Sequence, residues 1–280
     1  MSIRVVAVSG GVDSVVLLHM LVTSGEKVVV AHVNHGIRDD SDDDARFVAG
    51  LAKLYGCEFE DTSLNLGSGA SEDLARSKRY EFLLGVQQKY GGALVTAHHA
   101  DDLVETVFMN IKRGTGWRGL CVLSRNNVDR PLLKLAKSQL YDYALENHLE
   151  YVEDKTNRDL KYLRNSIRSE LNGKLDDKTR DKFWNLRQKQ IELRRMIDEE
   201  ADSILKNSKY SRYFFTHIPA GVATEVLGHA LLTELGVRPV EAQLERALIA
   251  IKAAKPGSEI HVGDGIFLRF TPRVFSVGML

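Results

Sequence analysis

The chain has 280 residues, 44% hydrophobic and 27% charged, the composition of a globular protein with a sizeable core, which excludes disorder and fibrous repeats. Its 38 basic residues balance 38 acidic ones, so there is no protein-wide basic field, and apolar runs such as 5–8 and 28–31 fall far short of a membrane span. The two cysteines, Cys57 and Cys121, stand apart in no CxxC or Cys/His spacing, which gives no zinc or iron–sulfur pattern.

The N-terminus runs from Arg4 straight into a strand-like segment with no signal-peptide pattern, so a cytosolic protein with free thiols is expected. Residues 3–8 (IRVVAV) read as a short β-branched strand buried on both faces. The string Ser9-Gly10-Gly11-Val12-Asp13-Ser14 follows, then an apolar stretch of helical periodicity that stops at Gly25. A second strand is predicted over 27–33, a loop with His35 and Gly36, and a helix over about 41–55. The pattern repeats with a strand near 57–62, a Gly/Ser loop from Leu64 to Ala70, a helix over 71–90, a strand over 93–97 and a helix over 101–112. Strands alternating with such helices predict a doubly wound parallel α/β sheet, in which ligands sit at the carboxyl ends of the strands. The loops at 9–14, 34–40 and 97–102 all fall there.

After Pro131 the pattern turns mostly helical, and the charged stretch 178–206 reads as a long exposed connecting helix. A helix over 241–254 follows, then a hairpin whose Ile260, Val262, Ile266, Leu268 and Phe270 alternate around Asp264-Gly265. The expected organisation is an α/β domain over 1–180, a helical linker over 181–212 and a small α+β domain over 213–280.

Charge is segregated along the chain. Residues 108–137 hold seven Lys/Arg against one acid, residues 161–212 hold fourteen against nine, and Asp39, Asp40, Asp42, Asp43 and Asp44 form an acidic run. Such segregation fits a polyanionic partner that touches part of the surface. The acidic run itself reads as a capped first helical turn, with Ser41 as N-cap.

A Gly-rich turn between a buried strand and a helix presents backbone N–H groups to an anion at the positive end of the helix. The hydroxyls of Ser9 and Ser14 add donors, and Asp13 beside phosphate calls for magnesium between them. The string is neither GxxxxGK[ST] nor GxGxxG, and a plain capped glycine turn is the alternative reading. Arg164 and Arg168 are four apart on a predicted helix and could together grip a carboxylate or phosphate. Trp117 could stack on a base, although tryptophans usually pack in cores.

The string SGGVDS resembles the PP-loop of the ATP pyrophosphatases, which release AMP and pyrophosphate while adenylating a carbonyl-type oxygen. Further motifs resemble the tRNA(Ile)-lysidine synthetases within that group: AHVNHGIR (31–38), SEDLARSKRYEFL (71–83), TAHHADDLVET (96–106), KRGTG (112–116), RPLL (130–133), VEDKTN (152–157) and RNSIR (164–168). The resemblance is strong over about 1–175 and loose beyond, where the C-terminal segment is similar to a shortened accessory, tRNA-binding domain.

The resemblance implies ATP-dependent ligation of L-lysine to C2 of the wobble cytidine in the CAU anticodon of tRNA(Ile), through an adenylated tRNA. It assigns ATP binding to Ser9, Gly10, Gly11, Val12, Asp13 and Ser14, a magnesium ion to Asp13, and catalysis to Asp13, Asp102 and Arg79. It assigns tRNA or lysine binding to His99, Arg113, Arg164 and Arg168, and sets Glu105 and Thr106 one helical turn beyond Asp102. A tRNA thiolase or a small-molecule amide ligase of the same group is the alternative, as is a non-catalytic nucleotide or RNA binder. No membrane partner is expected, and the oligomeric state, a homodimer included, is left open.

Overall fold

The computed structural model of the protein describes residues 3–34, 41–64, 72–125, 127–152, 163–171, 173–208 and 210–280. They form two compact units, Met1–Gln190 and Ile191–Leu280. The first is built from β1 (Ile3–Ala7), α1 (Val12–Thr23), β2 (Lys27–Asn34), α2 (Ser41–Leu54), β3 (Glu58–Ser63), α3 (Glu72–Tyr90), β4 (Ala93–Val95), α4 (Ala100–Lys112), β5 (Val128–Asp129), α5 (Lys137–Glu146) and α6 (Leu163–Leu171). The helix α7 (Asp177–Ser208) contains the division between the units, which falls at Gln190 and Ile191.

Five parallel strands lie in the order β3-β2-β1-β4-β5. Because strand side chains alternate between faces, neighbouring residues of β1 serve two cores. Val6 joins Val16, Leu17, Val30, Val48 and Leu140 on one face. Val5 joins Val29, Tyr80, Leu83, Val86 and Leu94 on the other. Burial on both sides explains why β1 and β2 read as continuous β-branched runs rather than alternating ones. The predicted doubly wound sheet is therefore borne out. The two-residue strand β5 and the end of β4 at Val95 were not anticipated in the sequence.

The chain order reverses at β1, which pairs with β2 on one side and β4 on the other. This reversal is the switch point at which open parallel sheets leave a crevice. The segments leaving β1 (residues 8–11) and β4 (residues 96–99) flank it.

In the second unit, α8 (Arg212–His217), α9 (Ala220–Leu235) and α10 (Glu241–Ala253) accompany an antiparallel sheet of β6 (Glu259–Gly263), β7 (Ile266–Phe270) and β8 (Phe275–Met279). Leu227, Leu231, Leu244, Ile251, Ile266 and Leu268 form its core. The expected hairpin is β6-β7, and β8 adds a third strand. The charged stretch 178–206 lies within α7, which is not simply exposed. Phe183 and Trp184 pack with Leu103, Val107, Val122 and Leu133 in the first unit, and Ala201, Ile204 and Leu205 pack in the second. No helix among the described residues is long and apolar enough to cross a membrane.

Leu17 is 1% exposed and Leu54 is 74% exposed. Leu17→Ala is expected to cost about 3 kcal/mol through lost transfer energy and a residual cavity, while Leu54→Ala stays within about 0.5 kcal/mol of the parent. Urea unfolding of the two variants side by side checks this.

Candidate active site

The loop from β1 to α1 is shaped by hydrogen bonds within the SGGVDS string. The Ser14 hydroxyl donates to the Gly11 carbonyl at 2.9 Å and accepts from the Ser9 backbone N–H at 3.1 Å. Gly10 has φ +92°, a conformation that L side chains rarely adopt, and its carbonyl accepts from the Val152 N–H at 2.9 Å. Gly11 is the N-cap of α1 and offers no side chain to cap it, so the start of an apolar helix presents the positive end of its dipole here. Ser9, Gly10, Gly11, Val12, Asp13 and Ser14 thus form one turn with the shape of an anion cradle.

Across the switch point, β4 runs into Thr96-Ala97-His98-His99 and then α4. The Asp102 carboxylate accepts from the His99 backbone N–H at 3.1 Å, which fixes the start of the helix. It lies 3.4 Å from His99 Nε2 and 3.5 Å from the Arg164 guanidinium, and His99 Nε2 in turn lies 3.8 Å from Asp13. Burial alone would raise the Asp102 carboxyl, but His99, Arg164 and His98 overcome this and hold it below the usual carboxylate range. One turn on, the buried Glu105 carboxylate takes Arg168 through two hydrogen bonds of 2.8 and 3.2 Å and Arg164 through a third of 3.2 Å. Burial disfavours the Arg168 cation, yet the bonds to Glu105 raise its pKa above the ordinary value. The i,i+4 spacing of Arg164 and Arg168 on α6 makes this double grip possible.

Asp13, His99, Asp101, Glu105 and Arg168 border one cavity of about 530 Å³ with Lys137, Tyr141 and Arg180. Lys137, Tyr141 and Arg180 fall outside every site assignment made from the sequence. The Lys137 ammonium donates to Asp13 at 2.6 Å. Asp101, in the first turn of α4, accepts from the Lys137 backbone N–H at 3.0 Å and from Arg180 at 2.6 Å. Lys137 carries a faint signal, as the cation closing RPLLKLAK, and Arg180 carries none.

Two predicted residues stand away from the cavity. Arg113 is the exposed C-cap of α4, and the 1.5 Å rise per residue sets it roughly 16 Å beyond Asp102. Arg79 sits with its guanidinium 5.8 Å from the Tyr80 ring, within electrostatic reach of His98. Trp117 is half-buried, and the Arg118 guanidinium lies 4.7 Å from its ring. His35, Asp39, Asp40 and the 153–157 part of VEDKTN lie outside the described residues. Among the described residues no group of three or more His, Cys, Asp or Glu could hold a metal ion. The residues present fit a magnesium ion held by few protein ligands, with the Asp13 carboxylate among them and substrate phosphates and water supplying the rest, which is how magnesium is usually held.

Residues 2–175 match the PP-loop domain family. The tRNA(Ile)-lysidine synthase of Exiguobacterium sibiricum is 38% identical over 172 residues, 59% of this chain and 42% of its own length. That of Staphylococcus aureus is 33% identical over 223 residues, 73% of this chain and 50% of its own. The chain thus spans about half the length of the curated relatives it matches. Among solved structures, the U34-tRNA thiolase NcsA from Methanococcus maripaludis with its 4Fe–4S cluster aligns with a TM-score of 0.57 at 18% identity, covering 69% of this chain and 72% of that one. This last likeness shows a shared fold.

Burial, helped by Arg130, Arg164 and Arg79 and opposed by Asp102, pulls the His98 imidazole down to about 4. An unperturbed imidazole titrates near about 6.5. Between those values the unfolded chain takes up a proton that the folded one refuses, so His98 costs stability progressively as pH falls through this window. NMR titration should find His98 neutral at pH 5, and His98→Gln should flatten the fall in stability between pH 6.5 and 4.

Proposed function

The chain belongs to the PP-loop family, and from that premise we propose that it ligates L-lysine to C2 of the wobble cytidine in the CAU anticodon of tRNA(Ile), using ATP. The observation that carries this reading is the meeting, around one cavity, of Asp13 of the SGGVDS turn with Glu105 and Arg168. The names of the curated relatives point the same way.

In this reading the N–H groups at the start of α1 and the hydroxyls of Ser9 and Ser14 hold the ATP phosphates. Asp13 would hold magnesium together with those phosphates, and the ion supplies charge neutralisation to the departing pyrophosphate. The C2 oxygen of the cytidine attacks the α-phosphorus, the bond to the bridging oxygen breaks, and pyrophosphate leaves. The uncharged ε-amine of lysine then attacks C2, the C2–oxygen bond breaks, AMP departs and the amine proton is lost. Such steps need placed charge more than a side-chain nucleophile. The carboxylates of Asp102 and Glu105 suit the lysine ammonium before it is deprotonated, and Arg164 and Arg168 suit the phosphate that turns negative as AMP leaves.

Neither cysteine borders the cavity: Cys57 packs beside the core of the first face, and buried Cys121 donates to the Gln190 carbonyl. A catalytic thiol pair of the kind a thiolase would use finds no support there. The exposed cations Lys112, Arg113, Arg125 and Lys134 offer phosphate contacts for tRNA, whose binding should weaken steeply with salt.

Incubation with ATP, radiolabelled lysine and unmodified tRNA(Ile) transcript should label the wobble cytidine. Omission of ATP should abolish the label, and Asp13→Ala should reduce it at least about a hundredfold, the scale of losing one electrostatic catalytic group. ATP cleavage with another nucleophile and no lysine incorporation would keep the PP-loop chemistry and discard this substrate.

A further inference from the structure

The SGGVDS turn supplies N–H dipoles and hydroxyls but no full positive charge, and it adds the negative charge of Asp13. A triphosphate brought to it would need a cation from elsewhere in the fold. Among the described residues, Arg168, Arg180 and Lys137 border the cavity and Arg164 lies beside it on Glu105. Arg164 and Arg168 are committed to Glu105, and Arg180 to Asp101 and Asp177. Lys137 pairs with Asp13 itself, and both side chains are about 30% exposed. An ammonium carries three donors, and the bond to Asp13 uses one. The pair is therefore open to a ligand at the first turn of α1.

The position of Lys137 is otherwise hard to account for. It is the first residue of α5, the end at which the helix dipole disfavours a cation. It is nevertheless held in place. Its backbone N–H donates to Asp101, whose other oxygen is taken by Arg180. The Leu135 carbonyl accepts from the Ala100 N–H at 2.9 Å, a second tie between the start of α4 and the chain entering α5. The ammonium also lies 5.1 Å from the Tyr141 ring centre. A residue set against its own helix dipole, anchored through its backbone and directed at the PP-loop has the features of a built ligand contact.

We propose that Lys137 is the phosphate-binding cation of this PP-loop site, exchanging its bond to Asp13 for ATP phosphate oxygen and then holding the departing pyrophosphate, and that Asp101 is its positioning residue. The proposal rests on the ATP-dependent reading given above, but not on the identity of the nucleophile.

The test is equilibrium binding of ATP with magnesium, of inorganic pyrophosphate and of adenosine to the full chain. Lys137→Gln should weaken ATP and pyrophosphate by about tenfold or more, the scale of one charge-assisted hydrogen bond, and leave adenosine within about twofold, with Lys137→Arg recovering most of the loss. Asp101→Asn should weaken ATP in the same direction, leave adenosine alone and add little on top of Lys137→Gln, as two residues acting through one contact do. Unchanged ATP and pyrophosphate affinity in Lys137→Gln overturns the proposal, as does an equal loss of adenosine, which would mark a structural role. A parent chain that binds no ATP overturns the ATP-dependent reading itself.

Discussion

Everything at the candidate site depends on the pairing of β1 with β4. These two strands are almost ninety residues apart in sequence, yet Val5 lies opposite Leu94 and Val6 opposite Val95. The pairing sets the turn after β1 beside the start of α4, so that the SGGVDS turn faces a helix carrying Asp101, Asp102 and Glu105. Parallel strands can be joined only through long crossovers, and those crossovers cover both faces of the sheet. What remains for chemistry is the row of loops at the carboxyl ends.

The second constraint is charge. Taking carboxylates out of water is costly unless each is matched by a cation and by hydrogen bonds. Asp13 has Lys137, Asp101 has Arg180, Asp102 has Arg164 and His99, and Glu105 has Arg164 and Arg168. If the proposed reaction holds, the site would receive both polyanions and an ammonium, and these internal pairs would be what such ligands exchange with. A ligand that arrives with charge of either sign displaces a partner rather than entering bare hydrocarbon. Preorganisation of this kind would have a kinetic merit in the proposed reaction, since groups able to stabilise developing charge are already placed.

Much of this was legible in the sequence wherever the relevant residues are consecutive or one helical turn apart. SGGVDS is a single local turn whose glycine conformation and hydroxyl contacts are short-range. The HHADD stretch, Glu105 and the Arg164–Arg168 pair follow from helix periodicity. The contacts that escaped notice are long-range. Lys137 reaches Asp13 across 124 positions and Arg180 reaches Asp101 across 79, and no periodicity encodes such distances. Arg113 and Arg79 show the converse, since a cation in a recognisable string need not border the cavity. The strands β5 and β8 were missed for other reasons. A two-residue strand has no pattern, and β8 carries Gly278 where the Phe267 ring lies too close for any Cβ.

The sheet order also bears on how the first unit meets its neighbours. An unpaired strand edge invites another chain to add to it, and natural proteins blunt such edges with charge or brevity. The outer strand β3 reads EFEDTS and carries Glu58, Glu60 and Asp61, with Lys89 and the Tyr90 hydroxyl drawn onto Glu60. At the opposite border β5 is two residues long. Both margins of the sheet are thus guarded against strand addition, one by electrostatic repulsion between copies and one by offering almost no backbone to pair with. Self-association of this unit by sheet extension is disfavoured at both ends, so contacts with other molecules fall to its helices and loops.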